Sequence, residues 1–248
     1  VRFFIDTDSR QYSVSEFDEE LEDIRKGYPG EVNYVLQNLI DSHDTDRLPS
    51  MILNPNRKYD DANGLRWNKE YDIQKPGGTE RDIQKLIVLF QMTYLGAPMV
   101  YYGTEAGMWG ADDPDDRKPM VWPDLQFENE RTHPILGRTR PDDPVAFDAE
   151  LVEYYRTIIR IRNEHTALRR GDFTTLLTDD DAGVYAFRRA TANDTVMVVL
   201  NNSGGRQMPE LNISPGTYRE EMSGVTLEST GQILPVLRPK SGIVLVKQ

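Results

Sequence analysis

The feature that most constrains this chain is a change of period near Gly171. Before it, apolar residues recur at helical spacing and are interrupted by two short apolar runs. After it, β-branched and aromatic runs follow one another: Phe173 to Leu177, Val184 to Arg189, Thr195 to Leu200, Thr217 to Glu220 and Ile243 to Val246. Turn signals separate them, among them Asp179-Asp180-Asp181-Ala182-Gly183, Asn193-Asp194, Asn201-Asn202-Ser203-Gly204-Gly205 and Ser241-Gly242. Short strands in this pattern predict an antiparallel sandwich or barrel. The boundary falls at 166–171, dividing the chain into domains 1–168 and 169–248.

The first domain reads as α/β. Ser13 and Glu16 form a capping box, and Phe17, Leu21 and Ile24 follow at helical spacing until Gly27 and Pro29. Val32, Tyr34, Val35, Leu36, Leu39 and Ile40 then predict a buried strand. Polarity switches abruptly at its end, where Asp41, His43, Asp44, Asp46 and Arg47 crowd together. Carboxyl ends of strands are where α/β folds bind ligands, because loops there are free to carry polar groups. Residues 49–79 predict a long loop holding Tyr59, Trp67 and Tyr71. Ile83, Leu86, Ile87, Phe90 and Tyr94 mark a helix from Glu80 to Leu95, and Ala97 to Tyr102 a second strand that ends in Gly103 and Glu105. Residues 103–147 predict another long loop with Trp109 and Trp122, of which Trp122 is expected in the core. Asp148 caps a helix running to Glu164, with Leu151, Tyr155, Ile158, Ile159 and Arg162 on its inner stripe. A (β/α)8 barrel takes about 250 residues by itself, and about 165 are spent here, so a complete barrel does not fit.

Composition narrows the partners. A net charge of −12 argues against nucleic acid and anionic membrane, which require Lys/Arg patches. A mean hydropathy of −0.61 without a long apolar run predicts no membrane-spanning helix. Of the acidic stretches Glu16 to Asp23, Asp112 to Asp116 and Asp179 to Asp181, the first and third read as solvated faces and loops. No cysteine is present, which removes disulfides and thiolate metal sites. His43, His133 and His165 lack a ligand spacing, and no cofactor motif is visible. The sequence opens on Val1-Arg2-Phe3-Phe4-Ile5, inside an apolar run and without a signal-peptide pattern, so compartment is not legible.

Three motifs occur in order: Ser42-His43-Asp44-Thr45; Gly96-x-Pro98-x-x-Tyr101-Tyr102-Gly103-x-Glu105; and Asp113-Pro114-Asp115-Asp116-Arg117-Lys118-Pro119-Met120-Val121-Trp122. Together they resemble the C-terminal third of the α-amylase family of glycoside hydrolases. Ser42, where many members carry Asn, and the Asp-Pro-Asp-x-Arg loop look most like the cyclomaltodextrinase, neopullulanase and maltogenic-amylase branch. The likeness covers residues 1–170 by motif and the remainder by type of domain. It implies the last two strands and helices of a (β/α)8 TIM barrel, followed by an antiparallel β-sandwich domain. It also implies a retaining hydrolase of α-1,4 or α-1,6 glucosidic bonds in maltooligosaccharides, cyclodextrins, pullulan or starch.

Retention needs a carboxylate nucleophile and a carboxylic acid about 5 Å apart. In the family these lie on the fourth and fifth strands, and neither motif precedes His43-Asp44 here. The resemblance gives Asp44 the role of transition-state stabiliser, holding the 2- and 3-hydroxyls of the distorted glucose, with His43 donating to the same sugar. Asp113 and Arg117 match residues that contact the next glucose unit, and an Asp-Arg surface pair fits the same two residues. Glu105 has a structural place. Any calcium belongs to parts of the family fold outside this chain. A non-catalytic amylase-like sugar-binding or scaffold module is the alternative. The strand near Val32 to Ile40 should also expose an edge, so that residues 1–165 either sit in a homo-oligomer or complex or are more labile than the rest.

Overall fold

The computed structural model describes residues 2–6 and 11–248. In chain order the helices and strands begin with α1 (Arg2–Ile5), α2 (Val14–Gly27), β1 (Gln37–Leu39), α3 (Leu48–Leu53), α4 (Gly78–Thr93), β2 (Ala97–Met99), β3 (Glu130–Thr132), β4 (Thr139–Asp143), α5 (Ala149–Glu164) and α6 (Thr166–Arg170). They continue with β5 (Asp172–Asp179), β6 (Val184–Ala190), β7 (Thr195–Asn201), β8 (Leu211–Asn212), β9 (Gly216–Glu220), β10 (Thr226–Ser229), β11 (Gln232–Ile233) and β12 (Ser241–Lys247). Two compact units interleave along the sequence. One takes Val1–Gln11, Leu39–Gln84 and Met99–Tyr155, the other Tyr12–Asn38, Lys85–Pro98 and Arg156–Gln248.

The second unit is built on a six-stranded antiparallel sheet in the order β10-β9-β12-β7-β6-β5. Its central strands explain why the sequence there is so apolar. On β6, Val184 and Ala186 face a cluster with Met197, Val199, Tyr218 and Leu245, closed by Leu211 and Ile233 of the small β8-β11 sheet. Tyr185 and Phe187 point the other way, where Phe17 of α2 and Phe90 of α4 meet them edge-on at 5.6 and 6.3 Å between ring centroids. Alternate residues thus serve two buried faces, and the strand shows no polar period. All five β-runs expected after Gly171 are strands. The short strands β8, β10 and β11 fall between turn residues and lack an apolar run long enough to announce them.

The capping box of α2 forms as expected: Ser13 Oγ accepts from the Glu16 amide at 3.2 Å, and Glu16 returns a bond to the Ser13 amide at 2.8 Å. Asp148 Oδ1 likewise accepts the Leu151 amide at 2.9 Å ahead of α5. On α5 the inner stripe is Leu151, Tyr155, Ile158 and Ile161, while Ile159 is half-exposed, because the 3.6 period carries position 159 off the buried face.

Three expectations are corrected. The run Val32 to Ile40 is not a buried strand. Val32–Tyr34 is a 3-10 turn, in which Pro29 O accepts the Val32 amide at 2.9 Å and Val32 O accepts those of Val35 and Leu36. Val35 is 71% exposed, and β1 is three residues that pair with β2 alone. The turn begun at Pro29-Gly30 outweighs β-propensity, which is a statement about packing more than backbone. The stretch 103–147 is also not one loop, since β3 and β4 form a hairpin within it. In the same way α3 occupies the start of the 49–79 stretch.

Two buried arginines organise the end of α4. Arg162 Nη1 donates to Met92 O at 2.6 Å and Tyr94 O at 3.3 Å, and its Nη2 reaches Gly96 O. Arg189, fully buried on β6, donates to Thr93 O and Leu168 O at 3.1 Å and twice to Gly171 O. The last carbonyls of a helix lack intrahelical donors and carry its negative end, so cations are favoured there. Burial, and for Arg189 also the charge of Arg162, lowers each guanidinium to about 10, so both stay charged at neutral pH. Gly96 makes room for the arrangement: at φ +109° a Cβ would lie 2.4 Å from Leu36 O.

Arg189→Leu is therefore expected to lower stability by about 3–5 kcal/mol, because three backbone carbonyls lose their buried donors together. Arg188→Leu, at a single exposed position near the end of the same strand, should cost less than about 1 kcal/mol. Urea unfolding of the two variants provides the comparison, and equal losses would count against this account.

Candidate functional site

The segment Asp41 to Arg47 leaves β1 and splits its charged side chains into two sets. Asp41, Asp46 and Arg47 turn inward and are buried, while His43 and Asp44 turn outward. Short polar side chains shape the turn. The Ser42 amide donates to Thr45 Oγ1 at 3.0 Å, and the Asp44 amide donates to Ser42 Oγ at 3.1 Å. Hydroxyls that close local rings of this kind set backbone direction independently of any sheet.

Beneath the turn, Asp41 Oδ2 accepts from the Leu48 amide at 3.0 Å and from Thr104 Oγ1 at 2.7 Å. Arg47 is the largest fully buried side chain here. Its Nε donates to Asp116 O at 2.8 Å, and its Nη1 donates to Tyr102 O at 2.6 Å and Thr104 Oγ1 at 3.3 Å. The guanidinium lies over the Tyr101 and Tyr102 rings, 4.5 and 4.8 Å from their centroids. Its backbone amide donates to Gly110 O at 3.0 Å. Gly110 admits this approach because a Cβ there would meet Asp115 O at 2.4 Å. One side chain thus ties the first motif to the second and third. Asp46 accepts from Arg57 and Tyr71, which anchors the 49–79 segment at the same place.

The four residues singled out by sequence come together above this base. Arg117 Nε donates to His43 O at 3.0 Å and lies 3.3 Å from Asp113 Oδ1, while its Nη2 is 3.6 Å from Asp44 Oδ1. His43 Nε2 is 3.3 Å from Asp44 Oδ2. Asp44 is 70% exposed, and all four side chains are open to solvent. Asp116 joins them from below, with its Oδ1 3.9 Å from Arg117 Nε and no exposed surface. Neither of its carboxylate oxygens has a hydrogen-bond partner among the described residues. Burial drives its carboxyl up to about 6, with Asp112 adding to the rise and Arg117 and Arg47 opposing it.

Sequence had not singled out Arg47, Thr104 or Asp116. Their signal was present only as charged or polar residues inside motifs, without any indication of which way they turn. Trp122, expected in the core, also departs from expectation. Trp122 is half-exposed and Trp67 is 87% exposed, whereas Trp109 is buried with its Nε1 donating to Ile73 O at 3.2 Å. An indole buries where its N–H finds an acceptor, and Ile73 supplies one to Trp109. Glu105 is partly buried and lies near the buried Tyr155 and Asp41 rather than at the open face. Among the described residues no group of three or more His, Asp or Glu is arranged to hold a metal ion, and no helix is long and apolar enough to cross a membrane.

The comparisons point to a class: along nearly its whole length the chain is similar to glycoside hydrolases of the α-amylase family. It is 33% identical over 249 residues to neopullulanase 2 of Thermoactinomyces vulgaris, an alignment taking in 99% of this chain and 34% of that protein. With the cyclomaltodextrinase of Geobacillus thermopakistaniensis it shares 31% identity over 247 residues, again 99% of this chain and 34% of the relative. A solved cyclomaltodextrinase structure superposes with a TM-score of 0.72 at 27% identity, covering 99% of this chain and 34% of the other. The chain spans about a third of the length of the curated relatives it matches. No protein-family model matches it.

The position of Asp116 sets a pH dependence. Its folded pKa lies above the unfolded carboxylate value of 3.8, so the folded state binds the proton more tightly and is penalised when the group ionises. That penalty is fully present above about pH 6 and vanishes as pH falls toward 4. Asp116→Asn is expected to be more stable than the parent at neutral pH by about 1–2 kcal/mol, a margin reduced by the solvent-exposed Arg117. The gap should close on acidification, as followed by urea midpoints across the range. A gap that widens in acid would contradict the assignment.

Proposed function

We propose that this chain is the C-terminal portion of a retaining α-glucan hydrolase, and that its open face at His43, Asp44, Asp113 and Arg117 contacts the glucosyl units flanking the scissile bond. The observation that carries this reading is the convergence of four residues, drawn from two motifs some 70 positions apart, on one solvent-accessible face. Homology to neopullulanase and cyclomaltodextrinase supports α-1,4 and α-1,6 glucosidic bonds as the class of substrate. On this reading residues 1–168 complete a (β/α)8 barrel, to which β1 and β2 contribute, and residues 169–248 form the β-domain that follows it.

The chemistry follows from the side chains. Asp44 offers two carboxylate oxygens, and a carboxylate accepts short, charge-assisted bonds from a pair of vicinal hydroxyls. Those hydroxyls become more acidic as the ring approaches an oxocarbenium ion, so the bonds strengthen in the transition state. His43, 3.3 Å from Asp44, is placed to donate to the same sugar. Arg117 and Asp113 present a planar fork and a carboxylate side by side, a donor-acceptor pair suited to the next glucosyl unit. The nucleophile and general acid belong to family strands outside this sequence.

Two outcomes test the reading. In the complete enzyme, Asp44→Asn should lower kcat by about 100-fold or more while KM changes severalfold at most, since the interaction is realised in the transition state. Near-normal kcat with weakened binding would remove Asp44 from this role. The chain alone should release no reducing sugar from maltooligosaccharides. Measurable turnover by the purified chain would show that a nucleophile and acid are present after all.

A further inference from the structure

Among the four residues His43, Asp44, Asp113 and Arg117 the one guanidinium, that of Arg117, is contested. Its guanidinium lies 3.3 Å from Asp113, 3.6 Å from Asp44 and 3.9 Å from Asp116, while its one hydrogen bond within the group goes to the carbonyl of His43. Asp44 and Asp113 are exposed, and water screens their pull on Arg117. Asp116 is different. It has no exposed surface, and both of its oxygens lack hydrogen-bond partners among the described residues, so its charge acts through a poorly screened interior.

We propose that Asp116 is a positioning residue: as a buried carboxylate beneath Arg117 it draws the guanidinium toward the body of the protein and frees Asp44 for sugar hydroxyls. It does not touch the substrate. Its link to sugar rests on the glucan-contacting reading of the face given above, whereas its hold on Arg117 does not. When Asp116 carries a proton, Arg117 is left to Asp44 and Asp113 and covers the oxygens that the hydroxyls need. When Asp116 is ionised, Arg117 is withdrawn and Asp44 is open on both oxygens.

The groups that face Asp116 bear this out. From its own loop come Arg117 and Asp112, from the residue before α3 comes Arg47, and from beyond β2 comes Tyr101. Arg47 gives Nε to Asp116 O and Nη1 to Tyr102 O and Thr104 Oγ1, bonds that pin it in the interior, while its Nη2 has no hydrogen-bond partner among the described residues. Tyr101 is held neutral by its desolvated surroundings and by the Asp116 charge. Asp112 repels the ionised form. Arg117 is the half-exposed cation of the two and so has room to move, and burial raises Asp116 to about 6.

The test follows the Arg117 Nε–H resonance of the chain by NMR from about pH 5 to 8, alongside the His43 ring signals, with maltotriose titrated at both ends of the range. The expected result is an Arg117 transition with a midpoint of about 6 that is absent in Asp116→Asn. Maltotriose should bind about threefold more tightly at the upper pH in the parent, an effect the size of a partly screened charge pair, and with no pH dependence in Asp116→Asn. An Arg117 signal that is flat, or that follows His43 alone, overturns the proposal, as does an unchanged transition in Asp116→Asn. An Asp116-dependent transition without any maltotriose response supports the hold on Arg117 and overturns the glucan-contacting reading instead.

Discussion

The open face depends on a buried guanidinium. Arg47 sits between the rings of Tyr101 and Tyr102 and donates to Asp116 O, Tyr102 O and Thr104 Oγ1, while its amide binds Gly110 O. Removing it would leave those carbonyls unpaired in a dry interior, where each lost partner costs about 1–3 kcal/mol. It would also unlink the turn that carries His43 and Asp44 from the loop that carries Asp113 and Arg117. The polar groups of the open face are few and exposed. Their spacing is set by a polar network that never sees solvent.

The second unit repeats the device for a different purpose. Arg162 and Arg189 satisfy the terminal carbonyls of α4 and so fix the end of the helix against the segment that leads into β2. Around them the aromatic set Phe17, Phe90, Tyr94, Phe173, Tyr185 and Phe187 packs with centroid separations from 4.9 to 6.5 Å, in edge-on, tilted and stacked pairs. Buried arginines bonded to backbone carbonyls are costly to isolate and strong when every donor is used, which makes the arrangement specific as well as stable.

Much of this was legible in the sequence where the signal is local. The Ser13–Glu16 box, the Asp148 cap, the amphipathic spacing of α5 and the five apolar β-runs depend on residues within a few positions of one another, and all formed, whereas α4 buries every residue from Leu86 to Thr93 and not one face alone. The strand expected at Val32 to Ile40 failed for the opposite reason. Its apolar residues match a buried strand, yet burial requires packing neighbours that sequence does not supply, and the Pro29-Gly30 turn carried the chain into a 3-10 helix. The core place expected for Trp122 failed likewise, since which indole finds a buried acceptor is decided at long range: Trp109 bonds a carbonyl 36 residues away.

What the sequence determined by itself was the order of three motifs and the chemistry of their side chains, and through them the family and the candidates His43, Asp44, Asp113 and Arg117. What only the tertiary structure decided was which of the many acids and bases in those motifs face solvent. Asp41, Asp46, Arg47 and Asp116 are written in the same alphabet as Asp44 and Arg117, but they turn inward. The side a residue takes is settled by hydrogen bonds made across 55 to 69 positions of chain, as between Arg47 and Tyr102 or Asp116. Such long-range partners leave no periodicity in the sequence, because they are chosen by the packing of whole elements and not by the spacing of residues.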